Sequence, residues 1–195
     1  MKRFSTFIIT LAFTLCIAVL PEGVKAQDGR QTLSQAEVTE FTASLKKVSS
    51  SINSIESSFT QEKVLQMFSK KMVSQGVFRY RRENKLEFFY KTPMKYRMVI
   101  NGPRMMIDNG GKVQIISLDN NAVVKEMKTL IQASFLGKLH ELGDSYSISY
   151  FSERSGDVVV EVLPKIKSVS DMIKKISVTF DASSFIVSCL VIEEA

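Results

Sequence analysis

Between residues 76 and 112 apolar side chains recur at every second position, a period that suits a pleated strand and not a helix. Four runs carry it: Gly76-Val-Phe-Arg-Tyr-Arg-Arg82, Lys85-Leu-Glu-Phe-Phe-Tyr90, Met94-Lys-Tyr-Arg-Met-Val-Ile100 and Arg104-Met-Met-Ile-Asp108. Phe78, Tyr80, Leu86, Phe88, Tyr90, Met94, Tyr96 and Met98 share one parity, while Arg79, Arg81, Glu87, Lys91, Lys95 and Arg97 take the other. The stretch therefore predicts a sheet with one apolar, aromatic face and one charged, solvated face. Arg82 falls on the parity of Phe78 and Tyr80 and points inward, where an arginine is costly.

The rest of the chain supports a mainly β reading with two helices. Ser34-Gln-Ala-Glu37 is a capping box flanked by Leu33 and Val38 at the staple positions. Val38, Phe41, Leu45, Val48, Ile52 and Ile55 then follow at three- and four-residue steps, predicting an N-terminal helix with one stripe to cover, packed on the sheet. Strands are expected at 57–68, 71–82, 113–118, 122–126, 145–151, 157–163, 175–180 and 185–192, besides those already named. Asn101-Gly102-Pro103 and Asp108-Asn-Gly-Gly111 are turn signals of the kind that join antiparallel neighbours. Met127, Leu130, Ile131, Ser134, Phe135, Leu139 and Leu142 fall on one side of a second helix, which Gly143 would end. Roughly ten strands need closure or a cover. A strongly curved antiparallel sheet with helices in its concave face satisfies this, and so does a closed barrel around a ligand. In either arrangement Met67, Met72, Met94, Met98, Met105, Met106, Met127 and Met172 line an adaptable apolar cavity or fill an irregular core.

Residues 1–26 read as a secretory signal: Lys2 and Arg3 precede the apolar stretch 7–20, and Val24-Lys25-Ala26 has the small-x-small form of a cleavage site. The apolar stretch is shorter than the ~18 residues of a membrane span. Residues 27–195 then form a single domain, in which Cys189 is the one remaining cysteine and is expected to be a small buried hydrophobe. The chain carries +6 overall. Removal of Lys2, Arg3, Lys25 and Glu22 leaves +4, and residues 63–112 hold twelve Lys or Arg against Glu83, Glu87 and Asp108, a net of +9. For an exported protein this basic face suits an anionic membrane surface or an acidic partner better than nucleic acid; the alternative is a solvated strand face guarding edges.

Nothing in the residues motivates catalysis. His140 is the single histidine, near the expected end of a helix, and no Gly-x-Ser-x-Gly elbow, His-Glu-x-x-His helix or cysteine cluster occurs. Asp119-Asn-Asn121 is too short for a calcium loop and reads as a hairpin tip. No enzyme, metal or cofactor is expected.

The order and spacing of Leu45-Lys-Lys-Val-Ser-Ser50, Ser58-Phe-Thr-Gln61, Gly76-x-Phe, Arg82-x-Asn84 with its aromatic pair and Pro93, and Val99-Ile-Asn-Gly102 resemble LolA, the periplasmic carriers of outer-membrane lipoproteins. The resemblance covers about 35–195 and is densest over 45–113. It implies a curved antiparallel half-open β-barrel with an N-terminal helix and an inserted lid helix, 127–142, enclosing an apolar cavity. It further implies a periplasmic monomer that takes acylated lipoprotein cargo from an inner-membrane transporter to an outer-membrane receptor. Phe78, Tyr80, Leu86, Phe88, Tyr90, Met94, Tyr96, Met98, Leu130, Ile131 and Phe135 become the expected cavity lining. Arg82 matches an arginine that latches the lid through backbone carbonyls. The chain departs from the family pattern at Glu83, where a proline is usual, at Met105-Met106, where an aromatic is usual, and at Ala195, beyond which relatives continue with another strand. A carrier of another acylated product or glycolipid, and a sensor domain of the same fold, are the alternatives; an enzyme acting on lipids is a third.

Overall fold

A computed structural model describes residues 30–65, 70–82, 85–118, 122–136 and 138–195. The leader expected over 1–26, the Asp119-Asn-Asn121 tip and Glu83 lie outside the described residues. Two antiparallel sheets of six and five strands carry the fold, not closed into a barrel. The described residues divide into two compact units, Ile52–Lys125 and 30–51 with Glu126–Ala195.

The first unit is a meander of β2 (Ser54–Leu65), β3 (Lys70–Arg81), β4 (Lys85–Thr92), β5 (Tyr96–Asn101), β6 (Arg104–Asp108) and β7 (Val113–Ser117), each paired with its chain neighbour. Alternation fixes which residues share a face, and turn chemistry fixes the register. Asn101 pairs with Arg104 across Gly102-Pro103, where Gly102 takes a φ of 56°. The next turn runs through Gly110 at φ 68°, with the Asn109 N–H donating to the Lys112 carbonyl over 3.1 Å. Both turns need the left-handed backbone that glycine adopts without a Cβ penalty. β2 and β3 form the longest pairing, in unbroken register from Ser54↔Arg81 to Leu65↔Lys70.

The second unit contains β1 (Gln31–Thr32), α1 (Gln35–Ser51), the larger part of α2 (Ala122–Leu136), β8 (Tyr146–Ser152), β9 (Val158–Pro164), α3 (Lys167–Ser170), β10 (Ile173–Phe180) and β11 (Val187–Glu194). Its sheet order is β1-β8-β9-β10-β11. α1 starts as its capping box predicts: the Ser34 N–H donates to Glu37 Oε2 over 2.7 Å, and the Glu37 N–H donates back to Ser34 Oγ over 3.4 Å. The Ser34 hydroxyl and amide hold the Glu37 carboxyl below its ordinary pKa. Phe41 on α1 is buried and packs edge-on to Phe180 and Tyr150, with ring centroids 5.6 and 6.1 Å away, so the helix covers the five-stranded sheet of its own unit. Val160, Val162, Ile176, Val178 and Ile192 fill the same core. The β10 to β11 turn closes on Asp181, whose carboxylate accepts from the amides and hydroxyls of Ser183 and Ser184 and is held well below the usual carboxylate range by them.

Four expectations are corrected. Residues 122–126 are not a strand but the first turn of α2. The helix also ends earlier, at Leu136: the Lys138 N–H donates to the Ala133 carbonyl over 2.8 Å, the six-to-one bond of a Schellman stop, and the sequence has Gly137 just before Lys138. Gly143 belongs instead to a later 3-10 turn, Gly143–Ser145. Ile55 belongs to β2, because α1 ends at Ser51. Cys189 is exposed on β11 and not a core residue; desolvation, with a lesser contribution from the charge of Glu153, pushes its thiol pKa up.

Candidate functional site

The six-stranded sheet separates its residues as the alternation requires. On one face Phe78, Tyr80, Leu86, Phe88, Tyr90 and Met98 are buried, joined by Ile100, Met105 and Ile107 from the same parity of β5 and β6. The rings touch: Phe78 and Phe88 are 4.9 Å apart between centroids, and Tyr90 and Tyr96 are 5.5 Å apart. Phe59 of β2 joins them at 5.0 Å from Tyr90 and 6.2 Å from Phe88. The result is a continuous aromatic strip across β2 to β5.

Of the residues that the sequence assigns to this face, seven come together on it: Phe78, Tyr80, Leu86, Phe88, Tyr90, Tyr96 and Met98. Met94 does not. It precedes β5, in the bend after Pro93, and is 70% exposed, because the strand starts only at Tyr96 and the parity does not extend back to it. Leu130 is buried on α2, in the other unit. The side chains of Ile131 and Phe135 lie outside the described part. Arg82 corrects the parity argument: β3 ends at Arg81, and Arg82 sits on the following turn with its side chain exposed and its N–H donating to the Asn53 carbonyl over 2.8 Å.

Two β2 residues on this face, Phe59 and Gln61, are missing from the sequence reading of it. Phe59 stands opposite Gly76, and its ring occupies the space that a side chain on Gly76 would need. Gln61, two residues on, is 2% exposed, and neither its Oε1 nor its Nε2 has a hydrogen-bond partner among the described residues. The Tyr96 hydroxyl is also buried without one, and burial pushes its pKa up to about 12. The legible signal was Gly76 itself: a glycine inside a strand weakens it unless a neighbour fills the gap, and Phe59 in the Ser58-Phe-Thr-Gln61 segment is the aromatic in register to do so.

The opposite face is built from charge. Glu56 on β2, Arg79 on β3, Glu87 on β4, Arg97 on β5 and Asp108 on β6 alternate in sign across neighbouring strands, each opposite the next in register except Glu87 and Arg97, which meet diagonally because Glu87 pairs with Val99 and Arg97 with Phe89. Arg79 donates to Glu56 and to Glu87, each at 3.1 Å, and Arg97 donates to the other oxygen of Glu87. Hydrogen bonds to Glu56 first, then to Glu87, raise the Arg79 pKa. A groove of about 520 Å³ is lined by Glu56, Arg79, Arg81, Lys85, Glu87 and Arg97 together with the apolar Ile55, Tyr80, Leu86 and Val99.

Unclosed antiparallel sheets, one of them presenting a continuous apolar face, place the chain in the class of open β-barrel proteins. Within that class the chain belongs to the LolA family: the family model described as outer membrane lipoprotein carrier protein LolA matches residues 50–195. No curated protein matches the chain. The family is one of carriers and not of enzymes, and its members are periplasmic. Among the described residues no helix is long and apolar enough to cross a membrane.

Proposed function

We propose that this protein is a periplasmic carrier that shelters the acyl chains of lipoproteins against the aromatic strip and shuttles them from the inner to the outer membrane, making and breaking no covalent bond. The observation that carries the reading is the continuous apolar face of β2 to β6, in a chain of the carrier family. Sheltering a methylene is worth ~0.8 kcal/mol, so a chain of a dozen carbons offers on the order of 10 kcal/mol if fully covered. Affinity of that size makes release the harder step.

Export by the 1–26 leader delivers the carrier to the periplasm, where an inner-membrane transporter loads it and an outer-membrane receptor unloads it. α2 serves as the lid and Arg82 as its latch. A guanidinium can serve several carbonyls through its fork of donors, so the empty state gains hydrogen bonds that cargo must break, and the affinity falls by that amount. The exposed cations Arg81, Lys85, Lys91, Lys95 and Arg104 supply the basic face that would approach an anionic membrane surface.

The test is displacement of a fluorescent fatty-acid probe from the purified protein. An acylated lipoprotein is expected to displace it and the same protein stripped of its acyl chains is not; displacement by neither, or by both equally, overturns the reading.

A further inference from the structure

β7 is an edge strand without the usual guards. No strand lies beyond it among the described residues, and its Val113-Gln-Ile-Ile-Ser117 carries no charge. β2, the other edge of the same sheet, carries Glu56, Glu62 and Lys63. Val113 is 59% and Ile115 69% exposed. In an antiparallel ladder, pairs that exchange backbone hydrogen bonds alternate with pairs that do not, and the latter turn their N–H and C=O away from the neighbour. The Asn109 N–H donates to the Lys112 carbonyl and the Leu118 N–H to the Pro103 carbonyl, so the bonded positions along β7 are the even-numbered ones. Val113, Ile115 and Ser117 therefore present their backbone groups outward, an open template for another strand.

The rows of side chains that reach this edge decide which strand fits. On the outer face Val99, Met106 and Ile115 are successive register partners and form an apolar row. Asp108 and Val113 pair on one side of it, Arg104 and Ser117 on the other. An antiparallel two-fold centred on Ile115 sets Ile115 opposite the Ile115 of a second copy, and Val113 opposite the second copy's Ser117. The apolar row then runs on into its own equivalent, the Asp108 row meets the Arg104 row, and no like charges stand opposite each other. Every outward N–H and C=O of Val113, Ile115 and Ser117 gains a partner. We propose that the protein self-associates through β7, joining two six-stranded sheets edge to edge in a two-fold dimer. This goes beyond the carrier reading and does not depend on it, and it departs from the monomer that the family resemblance implies. One strand pair is at the small end of specific interfaces, so the dimer exchanges, with a Kd of roughly 10–100 µM.

Sedimentation velocity on the exported chain, residues 27–195, at concentrations from about 1 to about 500 µM reads the dimer. The unmodified chain is expected to pass from monomer to dimer over this range. Ile115→Lys sets two cations opposite each other and is expected to raise the Kd at least about tenfold. Ile115 is exposed, so the melting temperature of the variant should match the parent's, which checks that it is folded. Cysteines in a Cys189→Ser background read the register. Opposed Cα atoms ~5.5 Å apart bring Ile115→Cys within reach of a disulfide to itself, while two copies of Val113→Cys are held about 14 Å apart. Val113→Cys mixed with Ser117→Cys is expected to bridge. A monomer at every concentration overturns the proposal and leaves the edge to a strand of another protein. A dimer that Ile115→Lys leaves intact, or Val113→Cys that bridges to itself as readily as Ile115→Cys does, overturns it as well. None of these outcomes bears on displacement of the acyl probe, which tests the carrier reading separately.

Discussion

The ring of Phe59 occupies the place of a side chain on Gly76. A Cβ built on Gly76 would lie 2.6 Å from Phe59 Cζ and 2.3 Å from the carbonyl oxygen of Phe89, the second of which is backbone and cannot step aside. The two residues are register partners in the β2–β3 ladder, and a bulge between Gln75 and Gly76 on the β4 side marks the same point. The glycine thus sets how closely the aromatic strip lies on the sheet.

Gly76→Ala is expected to destabilise the protein by ~2 kcal/mol or more, since overpacking against backbone forces strands apart. Chemical denaturation measures this. A variant as stable as the parent would mean that the β3–β4 ladder shifts freely around the bulge.

Glu87 is the middle of the charge ladder, with its side chain 16% exposed between Arg79 and Arg97. Glu87→Ala leaves two guanidinium groups facing each other across β4. The melting temperature should fall by roughly 2–4 °C at low ionic strength, with the difference shrinking as salt is added. A salt-independent loss would point to packing and not charge.

Arg82 stands on the turn after β3, where Arg82→Leu removes the guanidinium fork and leaves the strand itself in place. The latch proposed above predicts slower release of bound acyl probe to an acceptor. Transfer at the parental rate would remove Arg82 from the release step.

Tyr96 ties stability to alkaline pH. Desolvation raises its pKa from 10.0 to about 12, so the folded chain keeps a proton that the unfolded chain gives up. The stability linked to this phenol is fully present below pH 10 and is lost as pH rises through about 12. Tyr146 and Tyr150 shift in the same direction, chiefly by desolvation, and add to the same fall. Tyr96→Phe is expected to flatten part of the decline and to remove one late step from an ultraviolet phenol titration. An unchanged decline would place the effect on the other two tyrosines.

Local pattern carried much of this protein. Alternation alone separated the apolar face of Phe78, Leu86, Phe88 and Met98 from the charged face of Arg79, Glu87 and Arg97, because a strand's period of two leaves no freedom once one face is buried. The Ser34 to Glu37 capping box placed the start of α1, since its bonds span three residues. Where pattern failed, a boundary was at fault: Met94 and Arg82 each sit one or two residues outside a strand, where parity no longer applies, and Gly137 matched a helix stop as well as Gly143 did.

What tertiary structure decided lies between strands. The opposition of Phe59 and Gly76, the five-residue alternation from Glu56 to Asp108, and the burial of Gln61 without a partner depend on register across elements, in which each pairing constrains the next. Sequence determined that residues 76–108 form strands with one apolar and one charged face. Only the pairing of those strands with β2 brought Phe59 and Gln61 onto the apolar face, because hydrogen-bonded neighbours are set by ladders that join residues distant in the chain and not by the period within any one of them.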